Sequence, residues 1–441
     1  MINRKKIILD DTFIYIDEEK LETYYAEYYQ LYNNHLKYLL SNVNKFDSYS
    51  KEKRDIYFNL LKAAYIQNAK NVNTIKNLLK DRFSLSSFEN TRLNSTDNVG
   101  YTLKDFIYLR RDWTFLSEGE KQLDITISNI RQELIKIDFP KENALFIGCG
   151  VGRIAFDLSN LFKKTYATDK SFSMIWHLQK LLNGESITFY NPHVKNVFKK
   201  ENIAQKYIAK IPDDKLSANK NKLEAFISDV LDLPFQDETV NSIFSIYFTD
   251  VIALKLWFNH INSKLSNSGL FIHFGPLDYF FSDEREMLTA EEFRLFFEEN
   301  GYTTLVDKVI ETPHLEDSNS ITYKVYRNWF FIAQKNEHKE HVINNDTILH
   351  IKKPISYERK GVIKEGEKEV EVLLKLPNGV FKGAESVIQI LKLIDGKNSF
   401  EKILLQLKKN GFEVNNPDEI KNLLIAFLNQ RILSVHQGTV D

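Results

Sequence analysis

Apolar positions near the start of the chain follow a helical period. The residues that recur every three to four positions there are Leu21, Tyr25, Tyr28, Tyr32 and Leu36, a spacing that lines one face of a helix. The pattern predicts a mostly helical N-terminal region over residues 1–100, with a tyrosine-rich face that serves packing or meets a substrate. The polar stretch SSFENTRLNSTDNVG that closes this region predicts a loop leading into a new unit.

Between residues 101 and 336, short apolar runs alternate with amphipathic stretches. Alternating strand and helix patterns predict an α/β fold with a Rossmann-like parallel sheet covered on both faces. The predicted strands are Ala144–Cys149, Thr165–Thr168, Ala225–Asp229, Ser242–Phe248, Leu270–Phe274, Thr303–Ile310 and Tyr323–Ala333. The polar, lysine-rich span 184–222 predicts an inserted loop of the length that lids often have.

Residues 345–441 show a third pattern. Two strand-like pieces, TILHI and EVEVLLKL, are followed by helical stretches that are separated by the turns DGK and NNP, and by a final LSV. Short strands followed by amphipathic helices of this size are typical of a small, separately folded unit. The pattern predicts a separate domain of the winged-helix kind.

Composition narrows the function classes. The 441 residues are 43% hydrophobic and 27% charged, as in ordinary globular proteins, and the net charge is −1. Without an overall basic field, neither nucleic acid nor an anionic membrane is expected as a partner. The one cysteine, Cys149, excludes an intrachain disulfide and a cysteine-based zinc site, and no metal is expected. No apolar run has the roughly 18 residues of a membrane span, and no signal peptide is apparent, so we expect a cytoplasmic protein.

A glycine-rich turn carries the first chemistry. In NALFIGCGVGRIAFDLS, the residues Gly148, Gly150 and Gly152 lie between an apolar run and a helix pattern. Glycines at this edge of a parallel sheet let the backbone approach a ligand closely. A dinucleotide site would need a glycine where Arg153 stands, and no phosphate-loop lysine follows. The G-x-G-x-G spacing is instead typical of class I methyltransferases; NAD binding and a sheet without ligand are the alternatives.

Carboxylates end the next two predicted strands. Asp169 ends the second strand, where it is placed to accept hydrogen bonds from both hydroxyls of a ribose. Asp229, followed by Val230, ends the third strand, where a carboxylate commonly meets the amino group of adenine. These positions predict S-adenosylmethionine as the cofactor and S-adenosylhomocysteine as its product.

Several segments together resemble one methyltransferase family. The segments LRRDWTFLSEGE, GCGVGRIAFDLS, ATDKSFSM, YFTDVIAL and FIHFGPLDYFF occur in the order found in the carnosine N-methyltransferase family and cover about 101–335. The resemblance implies that Arg111 binds the methionine carboxylate of the cofactor. It also implies that Asp250 binds the substrate and that Tyr326 lines the substrate pocket. Where the family has a histidine for the imidazole of its dipeptide, this chain has Phe280, which argues against carnosine itself.

The remaining candidates near the site have alternatives. Asp250 is expected to orient the nucleophile, or else to cap the following helix. Tyr279 is expected to shape the pocket with Tyr326 or to serve packing. His193 is a candidate base, but its lysine-rich surroundings favour a surface histidine. His273 lies inside a predicted strand and is expected to be buried.

The C-terminal stretch resembles a second family. LPNGVFKGAESVIQILKLIDGKNSF and the helices after it look like PqqD, a small winged-helix domain that binds leader peptides of ribosomally made, modified peptides. Such domains capture a peptide by adding it as a strand to an exposed sheet edge. The first hypothesis is therefore a methyltransferase acting on a peptide captured by this domain. The second is a small-molecule N-methyltransferase acting on a histidine-derived or other amine, with the domain used for assembly, for example as a homodimer. A non-catalytic peptide-binding protein is disfavoured.

Overall fold

Most of the chain is described by the structure, a computed structural model. It describes residue 2 and residues 4–49, 54–80, 104–193, 196–219, 221–336, 343–352, 354–364, 367–376, 379–383, 385–412, 416–429 and 432–435. The polar loop predicted before residue 101 therefore lies outside the described residues. The chain forms two compact units, one of Met1–Phe297 with Tyr302–Lys335 and one of Glu298–Gly301 with Asn336–Asp441. Within the described ranges, no helix combines the length and the apolar character needed to cross a membrane.

The first unit is built on one large sheet. Its strands are β1 (Ile7–Leu9), β2 (Thr12–Ile14), β3 (Asn143–Ile147), β4 (Lys164–Asp169), β5 (Ile187–Pro192), β6 (Ala204–Ala209), β7 (Leu223–Ile227), β8 (Val240–Ile246), β9 (Leu265–Gly275), β10 (Tyr302–His314) and β11 (Lys324–Lys335). All of these except the hairpin β5–β6 join in the order β1-β2-β7-β4-β3-β8-β9-β11-β10. From β2 to β9 the neighbours are parallel, and β11 and β10 close the sheet as antiparallel strands. The predicted parallel α/β fold is confirmed.

Helices cover both faces of this sheet. They are α1 (Glu18–Tyr49), α2 (Asp55–Lys80), α3 (Asp105–Trp113), α4 (Ser117–Lys136), α5 (Arg153–Leu158), α6 (Phe172–Leu182), α7 (Asp213–Asn219), α8 (Leu254–Lys264) and α9 (Ala290–Glu299). The central strands bury side chains on both sides, as the apolar runs require. On one face Phe146 and Phe244 stack with ring centroids 4.1 Å apart, while Leu145 and Ile243 belong to the core on the other face.

The N-terminal tyrosines mostly serve packing, and two of them also bind the segment that follows β4. Tyr25 and Tyr32 are fully buried on α1. The hydroxyl of Tyr32 accepts a hydrogen bond of 2.9 Å from the backbone N–H of Ser173, and the hydroxyl of Tyr24 donates one of 3.0 Å to the carbonyl of Lys170. The hairpin β1–β2 precedes α1 and adds two strands to the sheet. The sequence pattern misses it because strands of three residues show no clear alternation.

The span 184–222 is not the loop that the sequence predicts. Described residues of this span form the antiparallel hairpin β5–β6 and the short helix α7. Its inward side chains, such as Phe189, are fully buried. Two asparagines of α2 hold the hairpin: Asn68 exchanges hydrogen bonds of 2.9 and 3.0 Å with the backbone of Tyr190, and Asn71 donates one of 2.9 Å to Thr188. The lysine-rich composition reflects the exposed side of a packed hairpin.

The second unit combines two small sheets with three helices among its described residues. Its elements are β12 (Leu349–Ile351), β13 (Ser356–Lys364), β14 (Glu367–Leu376), β15 (Gly379–Gly383), α10 (Glu385–Leu393), α11 (Phe400–Lys409), α12 (Pro417–Asn429) and β16 (Leu433–Val435). The strands β13, β14 and β15 form an antiparallel sheet, and β12 pairs with β16. The predicted succession of strands and helices is present, and β13 and β15 are additions to it.

Candidate active site

The three glycines lie in the turn between β3 and α5, at the carboxyl edge of the sheet. Gly148, Gly150 and Gly152 have φ angles of 58°, 57° and 78°, a region that residues with a side chain rarely adopt. A Cβ at Gly148 would collide with the ring of Phe248, and one at Gly152 would collide with Leu178. A Cβ at Gly150 would meet no atom within 4 Å. Gly150 therefore borders open space, while Gly152 allows α5 to pack against α6.

Asp169, the last residue of β4, is tied to this turn. Its Oδ2 accepts a hydrogen bond of 3.0 Å from the N–H of Gly150, and its Oδ1 accepts one of 2.8 Å from the N–H of Ser171. Burial raises the pKa of Asp169, and the two N–H donors oppose that shift. The carboxylate is thus held in one orientation by backbone groups alone.

Asp229 follows β7, the neighbour of β4. Its Oδ1 accepts a hydrogen bond of 3.0 Å from the N–H of Leu231 and its Oδ2 forms an ion pair of 3.0 Å with Lys170. Because β3, β4 and β7 are adjacent and parallel, their carboxyl ends bring the glycine turn, Asp169 and Asp229 to one edge of the sheet.

Arg111 reaches the same edge from α3. Its guanidinium is buried and pairs with the carboxylate of Asp112 through two hydrogen bonds, of which the one from Nη2 is 3.0 Å long. Gly119 lets α4 pack closely against the backbone of α3, because a Cβ there would lie 2.4 Å from the carbonyl oxygen of Arg111. The pair offers a cation and an anion side by side.

Arg153, by contrast, has a structural role, because its guanidinium is taken up by ion pairs within the protein. It stands where a dinucleotide-binding turn would have glycine, and it binds Glu120 at 2.9 Å and Asp157 at 2.7 Å. It also donates to the backbone carbonyl of Asp112. Its guanidinium therefore joins α3, α4 and α5 around the turn.

These residues enclose a cleft of about 350 Å³. Its lining includes six of the seven residues that the sequence assigns to the cofactor: Arg111, Gly148, Gly150, Asp169, Asp229 and Val230. Gly152 is absent from the lining. Five aromatic residues that the sequence did not assign to the cofactor also line it: Tyr28, Tyr108, Phe146, Tyr247 and Phe248. Tyr28 comes from α1, so the N-terminal helices supply part of the wall.

Asp250 lies beyond β8, two residues after Phe248. It is buried, and burial raises its pKa to about 6, against the backbone N–H groups of Asp250 and Asp278, which lower it. Its charge also acts on the phenols of Tyr108 and Tyr326, whose pKa values are raised first by their own burial. Asp250 is therefore near enough for its charge to act both on Tyr108, which lines the cleft, and on Tyr326, although Asp250 does not line the cleft itself.

Comparison with known proteins now decides the family. The sequence profile described as carnosine N-methyltransferase matches residues 88–337, which is more than half of the chain. The chain belongs to the carnosine N-methyltransferase family. It is therefore an S-adenosylmethionine-dependent methyltransferase. No curated protein matches the chain at a significant level.

Solved structures similar to this family member include several methyltransferases. An S-adenosylmethionine-dependent methyltransferase from Aquifex aeolicus is 14% identical, with 53% of this chain and 99% of that chain covered and a TM-score of 0.33. Magnesium protoporphyrin IX methyltransferase from Synechocystis, solved with bound S-adenosylhomocysteine, is 12% identical, with 53% and 94% covered and a TM-score of 0.34. A protein from Pyrococcus horikoshii is 14% identical, with 53% and 100% covered and a TM-score of 0.35.

The residues present fit the cofactor of the family. The volume of the cleft lies within the range of small-molecule sites, and Gly150 leaves room for a ligand against the backbone. Asp169 presents a fixed carboxylate, and Arg111 and Asp112 together complement a group that carries both charges. When bound, S-adenosylmethionine supplies an electrophilic methyl group on a sulfonium centre.

Two tyrosines assigned to the methyltransferase site differ in their surroundings. The ring of Tyr326, on β11, lies over His314 with centroids 4.2 Å apart. Tyr279 donates its hydroxyl proton to the carbonyl of Leu288 at 2.6 Å and packs on Phe281. The hydroxyl of Tyr279 thus holds the segment after β9, whereas the ring of Tyr326 is held by its contact with His314.

The position where the sequence resemblance places the family's substrate histidine is held by Phe280, and this correspondence stays a prediction. Phe280 is 65% exposed, and the ammonium group of Lys104 lies 5.2 Å from its ring centroid. It is also absent from the lining of the cofactor cleft. The exposure of Phe280 is compatible with the prediction that this chain lacks the family's imidazole contact at this position.

The two histidines singled out by sequence behave differently. His273 is buried as expected; its Nδ1 lies 2.8 Å from the Thr249 hydroxyl, and its Nε2 lies 3.3 Å from the carbonyl of Gly275. Burial lowers the pKa of His273 to about 3, so the neutral ring donates from Nε2 and holds Thr249, the neighbour of Asp250.

His193 is partly exposed and carries an ion pair that its lysine-rich surroundings do not predict. Its side chain is 19% exposed, and Nε2 lies 2.8 Å from Oδ2 of Asp317 in the segment between β10 and β11. The same carboxylate faces Arg110 of α3 at 3.6 Å. The pairing is invisible in the sequence because 124 positions separate His193 from Asp317.

Proposed function

We propose that this methyltransferase modifies a ribosomally made peptide that its C-terminal unit, residues 345–441, captures. The supporting observation is the edge strand β15. It pairs with β14 on one side, and among the described residues no strand pairs with its other side. Such an edge accepts an extended peptide through backbone hydrogen bonds.

A helix beside the edge supports the same proposal. Phe381 of β15 packs edge-to-face on Phe427 of α12, with centroids 5.7 Å apart. A peptide added along β15 would therefore lie near α12, whose apolar residues give side-chain specificity in this mode of binding. The winged-helix, PqqD-like assignment of the unit is part of this proposal.

The methyltransferase region, residues 101–336, holds the reacting groups in this proposal. Arg111 binds the methionine carboxylate, Asp169 the ribose hydroxyls, and Asp229 with the backbone of Val230 the adenine. The turn of Gly148, Gly150 and Gly152 places the backbone against the cofactor. N-terminal residues 1–100 close the cleft through Tyr28.

The acceptor meets the methyl group from the side of Asp250. The carboxylate of Asp250 orients the nucleophile and stabilises the positive charge that develops on it. Tyr326 lines the acceptor pocket, and Tyr279 shapes it by holding the segment that contains Asp278. Because the displacement at sulfur is in line, orientation and exclusion of water are what these residues provide.

A second candidate is a small amine as acceptor, with the C-terminal unit used for assembly as a homodimer. Membership of the carnosine N-methyltransferase family favours it. The exposed Phe280 weighs against the imidazole dipeptide itself. Neither candidate requires nucleic acid or a membrane, and a cytoplasmic location stays a prediction.

The decisive experiment combines capture and transfer. Fluorescently labelled peptides from a synthetic library are titrated into the full-length chain and followed by fluorescence anisotropy. The peptides that bind are then incubated with S-adenosylmethionine, and methylation is read by mass spectrometry. Carnosine and simple amines serve as competing acceptors. A peptide that binds and gains one methyl group supports the proposal; methylation of an amine without any peptide capture supports the second candidate.

Proline substitutions on β15 supply the control. Consecutive residues of an edge strand point their N–H groups alternately to the partner and to the free edge. Of Val380→Pro and Phe381→Pro, one therefore removes a donor from the free edge. The matched controls are Tyr357→Pro and Glu358→Pro on β13, the strand at the opposite edge of the same sheet. These two changes leave the free edge of β15 intact. Peptide capture that survives all four changes would overturn the role of β15.

A further inference from the structure

A second cavity lies beside the cofactor cleft. It has a volume of about 360 Å³ and lies between residues 15–27 of the N-terminal region and the residues that follow β4 and β7. Its N-terminal wall, formed by α1 and the two residues after β2, lies outside the family match, which spans 88–337. The cavity is therefore built by a part of the chain that the family profile does not describe.

The cleft and the second cavity share a wall. Lys170 and Asp229 line both of them, and the ammonium group of Lys170 lies 3.0 Å from Oδ2 of Asp229. The buried Tyr24 of α1 donates a hydrogen bond of 3.0 Å to the backbone carbonyl of Lys170. The side chain of Lys170 is 52% exposed. Because exposed ion pairs contribute little to stability, this side chain can turn aside at small cost while its backbone stays fixed.

The adenine end of the cofactor is the end that reaches this wall. In the proposed binding, the exocyclic amino group N6 of adenine donates a hydrogen bond to the carboxylate of Asp229. This amino group has two hydrogens, and one of them is enough for that bond. A substituent in place of the other hydrogen would leave the cleft beside Asp229 and Lys170, the two residues that also border the second cavity.

We propose that the second cavity is an extension of the cofactor site that accepts adenosyl compounds carrying an aromatic group on N6. The inference rests on the proposed contact between Asp229 and adenine. The cavity has the size for such a group, since an apolar cavity of about 150 Å³ already holds benzene. Ile16, Tyr24 and Leu231 supply apolar surface in its lining, against which an aromatic ring packs favourably.

The charges of the lining add a preference among such groups. Two of its carboxylates, Asp229 and Asp232, form ion pairs of 3.0 and 3.2 Å with lysines of the same lining. Glu19 and Glu27 of α1 contribute two further carboxylates. The lining is therefore acidic on balance, and an aromatic group that ends in an ammonium group complements it better than one that ends in a carboxylate.

Isothermal titration of the full-length protein tests the inference. The ligands are S-adenosylhomocysteine, its N6-benzyl derivative, and two N6-benzyl derivatives with an aminomethyl or a carboxylate group on the ring. Thr23→Trp fills the cavity from α1, because Thr23 belongs to its lining. Thr74→Trp, at an equally exposed threonine of α2, is the matched control. Thermal unfolding confirms that both variants fold.

The N6-benzyl derivative is expected to bind the wild-type protein at least as tightly as S-adenosylhomocysteine, and the aminomethyl form about tenfold more tightly than the carboxylate form. Thr23→Trp should weaken the N6-benzyl derivative about tenfold and leave S-adenosylhomocysteine within about twofold, while Thr74→Trp should change neither. Equal effects of the two substitutions would overturn the inference. If Thr23→Trp fails to fold, the wild-type protein alone decides, because a clear loss of affinity on adding the benzyl group would also overturn it.

Asp229→Ala separates this inference from the function on which it rests. The substitution should weaken S-adenosylhomocysteine about tenfold, because a charge-assisted hydrogen bond to adenine is lost. If that loss is found and the N6-benzyl derivative is rejected by the wild-type protein, the role of the second cavity alone is wrong. An unchanged Kd in Asp229→Ala would instead defeat the proposed adenine contact, and the inference with it.

Discussion

Asp169 and Gly150 are joined by a hydrogen bond of 3.0 Å from the glycine N–H to the carboxylate. The bond links the turn after β3 to the end of β4. One oxygen keeps this contact while the carboxylate remains directed at the cleft. The glycine turn and the carboxylate of Asp169 are therefore held together as one rigid element of the cleft wall.

Replacement of Asp169 is expected to abolish most cofactor affinity. A charge-assisted hydrogen bond is worth about 1.5–3 kcal/mol, so loss of even one such bond in Asp169→Ala should raise the Kd for S-adenosylhomocysteine at least roughly 10- to 100-fold. Isothermal titration measures it. The Kd of Asp169→Asn should lie between those of the wild-type protein and Asp169→Ala. Asp237→Ala, at an exposed ion pair with Lys264, is the matched control; equal affinity of Asp169→Ala and this control would contradict the assignment.

Because Tyr28 of α1 lines the cleft, we expect cofactor binding to depend on the N-terminal helices. Tyr28 itself lies outside the family match, which spans 88–337. Tyr28→Ala should weaken S-adenosylhomocysteine about three- to tenfold, the scale of one aromatic contact, and Tyr28→Phe should not. Leu40→Ala, 46% exposed on the same helix, serves as control. An unchanged Kd in Tyr28→Ala would assign the ring to packing alone.

The rate of methyl transfer should depend on the ionisation of Asp250. Its pKa is raised to about 6, so the carboxylate is charged above that pH and neutral below it. We expect kcat/KM for the identified acceptor to fall as the pH drops through 6, by tenfold per unit well below it. The profile of Asp250→Asn should be low and should lack this inflection. A wild-type profile that is flat between pH 5 and 7 would exclude Asp250 from the reaction.

The same residue should reduce stability at neutral pH. A carboxyl group whose pKa is higher in the folded than in the unfolded chain favours folding when protonated, so ionisation above pH 6 destabilises the protein. Asp250→Asn should therefore raise the free energy of unfolding at pH 7 by up to about 3 kcal/mol. The advantage should shrink toward pH 4, as urea unfolding at the two pH values will show. A loss of stability at pH 7 would mean that a specific contact holds the charged form.

Asp317 is expected to behave in the opposite way. His193 and Arg110 hold the pKa of its carboxyl well below the usual range although burial opposes them. Its stabilising effect is therefore present at neutral pH and lost only in strong acid. Asp317→Asn should lower the free energy of unfolding at pH 7 by about 1–3 kcal/mol, because a charged hydrogen-bond partner of His193 is lost while Arg110 keeps Glu118 at 3.5 Å. Asp283→Asn, at an exposed pair with Arg285, should have little effect on urea unfolding.

The sequence is sufficient to predict the central sheet and most of the residues that line the cleft at its carboxyl edge. Parallel strands buried on both faces appear as apolar runs, and their carboxyl ends place Asp169 and Asp229 together without any knowledge of side chains. Glycines with positive φ are equally legible in sequence. Gly148 and Gly150 both line the cleft at this edge of the sheet, as the sequence predicts. Their roles in binding the cofactor stay predictions.

What the sequence misses depends on contacts between distant segments. Tyr28 belongs to a helix whose period indicates packing, and only the docking of α1 brings it to the cleft. His193 meets Asp317 across two loops, and the hairpin β5–β6 is hidden by its lysine-rich exposed side. The second cavity beside Asp229 is equally hidden, because residues 15–27 meet the carboxyl edge of the sheet only in the folded chain.

Cys149 has a practical consequence for work on this enzyme. It is the only cysteine in the chain, and it lies in the wall of the cleft between two of the turn glycines. Burial raises the pKa of its thiol well above the ordinary value, so alkylation at neutral pH will be slow and confined to this one position. Cys149 can therefore report whether the cleft is occupied. A bound ligand that shields the thiol should slow its labelling by maleimide, and intact-mass spectrometry measures that rate.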